Sequence, residues 1–533
     1  MELQMNKKKF FMQGVLLTAI SLILRVTNIA YRSFLSQKIG AEGIGLYQLI
    51  FSIFMLAVTL STSGISLAVT RMVTAAIVTE KRGTIRSLVS RCFLFCLCVS
   101  LSISLILFTG ADFAADVFLG NAQAANCLRI LGVGLPFMSL CTCMKGYFLA
   151  VDESVSTGIS DVLENLLTIF ATAALFWYFA PTSIEAACLA AMIASTLGEI
   201  TSFTFAFISY RRSLRRNTPK EQKKSKGVLH GLTHIALPCT LSSAARSLLN
   251  TGENLLIPKE LQKSGLSYQI SMSQYGLLHG MTMPMLYFPS SLLGSFASLL
   301  IPRISREREQ NHKKAVAYIT GKALSSALVF GIFFAAVFIA FGESWGSIFY
   351  HNDGAGEYLR ILAPIVPLMY LDVVVDSLLK GMDEQFNSMK YNFFDSLLRV
   401  LLVLCLLQFF GMKSYIGILF FSTIFNASLS LSKLLKVTHV TMYTVRQILL
   451  PTIAAVLSVF IASILIPLLP AMEGFVLVIA QIVISSAFYL GIMWVVHKFI
   501  PQPQLQFREK EKKKSGFGDN RLQNKAQSRI VKK

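Results

Sequence analysis

The sequence predicts an all-α polytopic membrane protein: about fourteen transmembrane helices in two parallel six-helix bundles, followed by a C-terminal helix pair. Three observations carry that prediction. Of 533 residues, 54% are hydrophobic and only 14% charged, whereas a soluble domain carries about 25% charged residues. Apolar runs near twenty residues long recur from end to end, the length a helix needs to cross a bilayer. The phrase "CLRILGVGLPFMSL" at 127–140 also returns as "YLRILAPIVPLMYL" at 358–371, so the chain repeats itself.

The first run, 11–31, follows Lys7, Lys8 and Lys9 in the manner of a signal peptide. Arg25 interrupts it and thirteen further spans follow, so it reads as an uncleaved first helix. Runs 45–65, 88–110, 127–148, 158–180 and 186–209 complete the first bundle. Runs 232–257, 274–301, 316–341, 357–379, 391–411 and 415–432 form the second, and 447–470 with 474–498 form the final pair. Helices suit all of them because a helix satisfies its own backbone polar groups where lipid cannot. The corresponding domains are 1–209, a basic linker 210–231, a second bundle 232–436, the extra pair 437–499 and a basic, disordered tail 500–533.

Charge placement tests the count. Fourteen spans put both termini on one side, and that side carries 38 Lys and Arg in tails and loops. The opposite side has only Arg32, Lys38, Lys259, Lys263 and Lys413. Such an asymmetry is what cytoplasmic termini produce, and one miscounted helix would scramble it. The net charge of +21 sits mostly in 210–226 and 508–533. It therefore points to anionic membrane lipid rather than nucleic acid as a partner. The nine cysteines lie in or beside apolar runs with neither disulfide nor zinc spacing. No metal site, catalytic motif or cofactor is expected, and the chain does not read as an enzyme.

The repeat extends from Phe118–Leu140 onto Phe349–Leu371 with ten identities in 23 positions. Tyr47/Tyr275, Arg71/Arg303, Lys145-Gly146/Lys380-Gly381 and Asp161/Asp395 keep offsets of 228 to 235. Six spans per unit is even, so the two units enter the membrane in the same orientation, as parallel repeats do in transporters. Two equal bundles on one linker suit alternating access to a central site.

Ionisable groups at membrane depth are costly and face the bundle interior. Arg25 and Arg32 in the first helix, and Arg246 and Glu253 in "AARSLLNTGENLL", are the expected lining of a central cavity. Seven residues apart, Arg246 and Glu253 share a helix face. Planar guanidinium forks suit phosphate oxygens, so a cationic cleft fits a pyrophosphate headgroup. Glu164, Glu199, Asp372 and Asp376 add carboxylates; Glu199, Asp372 and Asp376 are candidates for coupling to a monovalent cation, with the membrane potential as the other driving force. Structural ion pairing is the competing reading for each of them. Arg129 and Arg360 are expected to snorkel to the interface as scaffold, with Pro136 and Pro367 kinking their helices. His279, beside Gly280 and Pro284, reads as a packing residue, with proton coupling as the alternative.

The segments "LRVTN" at 24–28, "IGAEGIGLYQL" at 39–49, "KGYFLAV" at 145–151 and "FPSSLLGSFASLLIPRISR" at 288–306 resemble the stage V sporulation protein B family. That family stands with the lipid II flippases in the multidrug/oligosaccharidyl-lipid/polysaccharide superfamily. The resemblance covers about residues 10–500. It implies a bacterial plasma-membrane flippase carrying an undecaprenyl-pyrophosphate-linked saccharide from the inner to the outer leaflet. It also implies Arg25 and Arg32 in the cavity, a groove for the lipid tail at the last two helices, and work alongside cell-wall or sporulation machinery. Lipid II flippases carry an arginine shortly before the Phe-Pro-Ser of the eighth helix. Here "MTMPMLY" has Pro284 instead, and Arg246 is expected to substitute. The alternative within the superfamily is a cation-coupled multidrug antiporter, whose cavity needs carboxylates and aromatics. A third reading is a membrane assembly factor that transports nothing.

Overall fold

The computed structural model describes residues 7–79, 82–217, 228–440, 445–469 and 474–499. The middle of the basic linker and the tail from 500 onward, expected to be disordered, lie outside the described residues. Among the described residues the chain is helical, with no strand.

Helix α1 (Lys7–Thr62) is helical throughout except at Gly40, where φ is 66° and ψ −174°, a conformation open to glycine because it lacks Cβ. The chain reverses there. Arg32 Nη1 lies 3.3 Å from Gln48 Oε1, although sixteen residues of straight helix would separate them by roughly 24 Å. α1 is therefore two spans in a hairpin. α2 (Ile65–Val78) carries on beyond the predicted end at 65, into a segment expected to be loop. Its buried Ile65, Ala68, Val69, Val73 and Ala76 follow helical spacing and leave Arg71 exposed, so the helix continues on an apolar stripe that charge content masked.

The remaining elements are α3 (Ile85–Thr109), α4 (Ala125–Ala150), α5 (Ser154–Phe179) and α6 (Ile184–Asn217). They are followed by α7 (Val228–Lys263), α8 (Tyr268–Glu309), α9 (Lys313–Tyr350) and α10 (Asp353–Gly381). α11 (Gln385–Phe410), α12 (Met412–Thr438), α13 (Val445–Leu468) and α14 (Gly474–Phe499) complete the chain. Twelve stretches are long and apolar enough to cross a membrane, one of them the hairpin-containing Ala19–Val78. Counting that hairpin as two spans and adding the more polar α7 gives fourteen.

The repeat is visible in local geometry. Asn121 and Asn352 have matching backbone angles, φ −146°, ψ 101° and φ −145°, ψ 114°, and each side chain accepts a backbone N–H two residues on. Asp152 and Asp383 share φ 58°. Glu153 pairs with Arg216 and Glu384 with Lys433, tying equivalent loops to equivalent helices. Thr70 donates to the Gly146 carbonyl at 2.9 Å, and Ser305 to that of Gly381 at 3.0 Å.

The doubled arginines also act alike. Arg129 pairs with Asp112 at 2.6 Å and Arg360 with Glu343 at 2.7 Å, each bridging seventeen residues back along the chain. The expected scaffold role holds, but as ion pairs rather than snorkelling. The prolines differ: Pro136 lies inside unbroken α4, whereas α10 tightens to a single 3₁₀ turn at Ala363–Ile365, just before Pro367. The final pair packs on α9. Trp345 Nε1 donates to Gln481 Oε1 at 2.8 Å, Tyr489 donates to the Val329 carbonyl at 2.9 Å, and the rings of Phe333 and Tyr489 stack at 5.1 Å.

Candidate functional site

A cavity of about 690 Å³ opens between α1 and the second bundle. Helical spacing explains which residues reach it. Arg25, Asn28 and Arg32 of α1 line it, at positions i, i+3 and i+7. On α7 the lining residues are Arg246, Asn250, Glu253 and Asn254, at i, i+4, i+7 and i+8. α8 contributes His279, Met283, Pro284 and Tyr287; α10 contributes Ile365 and Met369; α11 Arg399; α12 Tyr415.

Four guanidinium groups thus meet one carboxylate on the cavity wall. Arg32 donates to the Gly280 carbonyl at 3.0 Å and to Gln48, both neutral. Among the described residues, Arg25, Arg32 and Arg246 have no carboxylate within ion-pair distance. Arg399 alone is compensated, with Nη2 3.4 Å from Glu253 and Nε 3.6 Å from Asp395. The buried Glu253 also accepts from the Tyr415 hydroxyl at 3.1 Å, and His279 Nε2 lies 2.9 Å from that hydroxyl. His279 belongs to a π-helical stretch, Gly276–Thr282. Such irregular turns recur at functional positions. Thr282 takes up slack there, its hydroxyl within reach of the Leu277 and Ala355 carbonyls at 2.9 and 3.1 Å. Uncompensated positive charge inside a protein cleft attracts an anion more strongly than it would on an open surface, because the low-dielectric walls raise the effective interaction. The chemistry on offer is anion binding by charge-assisted hydrogen bonds.

All four residues expected in the cavity, Arg25, Arg32, Arg246 and Glu253, line it. Pro284, where the resemblance calls for an arginine, lines it too, and Arg246 reaches the same space. The carboxylates proposed for coupling lie elsewhere. Glu199 is buried near Glu164 and the Lys145–Asp161 pair, whose atoms are 2.6 Å apart, among α4, α5 and α6. Asp372 accepts from Asn426 Nδ2 at 3.1 Å. Asp376 accepts from the Ser388 hydroxyl and lies 3.9 Å from Lys380. These two form a polar cluster among α10, α11 and α12 behind the cavity wall. Sequence reasoning missed Arg399, which stands alone in the 391–411 run four residues after Asp395. It also set His279 aside as a packing residue.

A second, apolar cavity of about 390 Å³ lies between α9 and α13, lined by Ile332, Ala336, Pro367, Ala455, Val456 and Phe460 among others. One helix divides the two spaces: Ile365 and Met369 line the cationic cavity, and Pro367, between them in sequence, lines the apolar one.

Known proteins share this architecture. Stage V sporulation protein B of Bacillus subtilis (strain 168) is 24% identical over 383 residues, covering 71% of this chain and 74% of that protein. The structure of lipid II flippase MurJ in an inward closed conformation superposes with a TM-score of 0.69 at 14% identity, covering 92% of this chain and 100% of that one. An inward-facing multidrug resistance MATE family transporter of the MOP superfamily gives 0.63 at 15% identity, over 80% and 97%. The MatE family model matches residues 269–405, within the second bundle. The family model described as polysaccharide biosynthesis protein matches residues 11–308. That is more than half of the chain, which therefore belongs to the polysaccharide biosynthesis protein family and has the fold of MOP superfamily transporters.

Proposed function

We propose that this chain is a flippase that moves an undecaprenyl-pyrophosphate-linked saccharide, a peptidoglycan or polysaccharide precursor, from the inner to the outer leaflet by alternating access. One observation carries the proposal: Arg25, Arg32 and Arg246 converge on one cavity between the bundles without a carboxylate partner. A pyrophosphate supplies the missing charge in the geometry guanidinium groups favour. The likeness to stage V sporulation protein B and to MurJ supports the same substrate class. An isoprenoid tail must stay against apolar surface, and the cavity between α9 and α13 offers one on the far side of α10 from the arginines. The terminal side, with its excess of Lys and Arg, is the cytoplasmic side of a bacterial plasma membrane in this reading. Glu199, Asp372 and Asp376 remain the candidates for cation coupling, with the membrane potential as the other source of drive.

The MatE match over 269–405 favours a second reading, a cation-coupled antiporter of organic cations. Its cavity would need net negative charge, and this one has four arginines against Glu253.

The test is translocation of labelled undecaprenyl-pyrophosphate disaccharide in proteoliposomes by wild type, Arg25→Ala and Arg246→Ala. A hydrogen bond to a charged group contributes about 1.5–3 kcal/mol, so each substitution should slow transport by about ten- to 150-fold with folding intact. Wild-type rates in both variants would refute the arginine site. Exchange of an organic cation for protons or sodium, without lipid transport, would establish the antiporter.

A further inference from the structure

Among the described residues, Glu253 is the one carboxylate on the cavity wall, and it is buried to 4% exposure. Two groups support its charge: the Arg399 guanidinium at 3.4 Å and the Tyr415 hydroxyl at 3.1 Å. Tyr415 has a single proton to donate, and it points at Glu253. The His279 nitrogen 2.9 Å from the same hydroxyl must therefore be the donor, which sets the imidazole tautomer as Nε2–H. A directed chain results: His279 Nε2–H to Tyr415 oxygen, Tyr415 O–H to Glu253 Oε1. His279 is only half-buried and lines the cavity, so the outer end of the chain is open to the cavity.

Arg399 also lines the cavity. A phosphate that engages it competes with Glu253 for the same cation. Two anions a few ångströms apart in a poorly solvated site cannot both stay ionised. We infer that Glu253 is a proton-binding site, and that it exchanges its negative charge for that of the headgroup whenever the headgroup occupies Arg399. The inference rests on the pyrophosphate reading of the cavity and deepens it.

The step balances. Hydronium, replenished by the buffer acid, protonates His279 Nδ1 and is left as water as Nε2–H passes its proton to the Tyr415 oxygen. The former Tyr415 proton forms the new O–H bond on Glu253. His279 ends neutral as the Nδ1–H tautomer, and one proton has moved from the bulk buffer to the carboxylate. The remaining charged or titratable neighbours are Arg25 and Arg32 from α1, Arg246 from α7, Tyr275 and Tyr287 from α8, Asp372 from α10, and Asp395 from α11. Asp395 keeps its own hydrogen bond from Ser422 at 2.5 Å and its contact with Arg399. Glu253 is thus the carboxylate that faces the incoming anion.

The experiment is calorimetric titration of the purified full chain in nanodiscs with farnesyl pyrophosphate, repeated in buffers of different ionisation enthalpy to count protons taken up. Wild type should take up close to one proton more per bound ligand than Glu253→Gln, which keeps the shape and still accepts from Tyr415. Equal uptake by both, with binding intact, overturns the proton site and leaves the flippase reading standing. No binding by wild type overturns both. Should Glu253→Gln fail to fold, infrared difference spectra of wild type decide. A protonated carboxyl C=O band on ligand addition supports the inference, and its absence refutes it.

Discussion

Replacing Gly276 with alanine should bias the transporter toward the state open on the side opposite its termini. Just past the Gly40 reversal, the second arm of α1 runs against the start of α8 at a distance only glycine allows. A methyl group on Gly276 would fall on the Ala41 carbonyl oxygen and lie 2.7 Å from Gly45 N. Across the seam, a Cβ on Gly45 would fall on the Met272 carbonyl oxygen. The obstructing atoms are backbone, so no rotamer change relieves the clash. Non-bonded atoms settle about 3.5–4.0 Å apart, and the added carbon would start far inside that distance from the Ala41 oxygen, so the two helices must part by about 1.5–2 Å. Overpacking of this kind costs about 1–3 kcal/mol. The cost falls only on the conformation in which the seam is shut, moving the equilibrium about five- to 150-fold. The assay is modification of Asn28→Cys, a cavity position, in a cysteine-free background, by a membrane-impermeant thiol reagent supplied from the side opposite the termini. The labelling rate should rise by that factor in Gly276→Ala. An unchanged rate in a variant of unchanged thermal stability would refute the idea that this glycine seam is the seal.

Two further outcomes follow from the same geometry. Asn352→Ala removes the cap of α10, which holds the Gly354 N–H at 3.0 Å, and should cost about 1 kcal/mol. Asn121→Ala loses the equivalent cap and also a 2.9 Å bond to Glu185, so its unfolding midpoint should fall further; the reverse order would contradict the account of the repeat. Ala455→Phe should fill the apolar cavity and slow transport of a full-length polyprenyl substrate about ten-fold or more. It should leave farnesyl pyrophosphate binding unchanged, and equal loss for both ligands would show that no tail enters there.

The span count and the four cavity residues could be read from the sequence because the membrane makes both conspicuous. An arginine at hydrocarbon depth has few structural excuses, and Arg25, Arg32 and Arg246 stand out against leucine and isoleucine. Rotational register between helices is not written so plainly. Glu199 is buried much as Glu253 is, yet it turns toward Glu164 and the Lys145–Asp161 pair of its own bundle, and Asp372 turns toward Asn426 of its own. Arg399 escaped notice because it has no counterpart in the repeat, whereas Asp395, four residues earlier, stood out as the partner of Asp161. His279 was weighed as a neighbour of Gly280 and Pro284. Its role depends on Tyr415, 136 residues away, a separation that no local pattern reports. The continuation of α2 past residue 65 was hidden for the opposite reason, since basic residues nearby suggested loop while every third or fourth position remained apolar.

The clamping of α14 onto α9 has a consequence for how a two-part lipid would be handled. Trp345–Gln481 and Tyr489–Val329 tie the final pair to the second bundle, and α10 serves as the wall of both the cationic and the apolar space. Head and tail are then held by the same rigid half of the molecule, on the two faces of a single helix. As the halves rock, the tail need not be dragged through the seam between them. It travels like luggage on one side of the hinge, and only Arg25 and Arg32, on the other side, change their distance from the headgroup. Release to the far leaflet becomes a matter of withdrawing two arginines rather than of extracting a hydrocarbon chain.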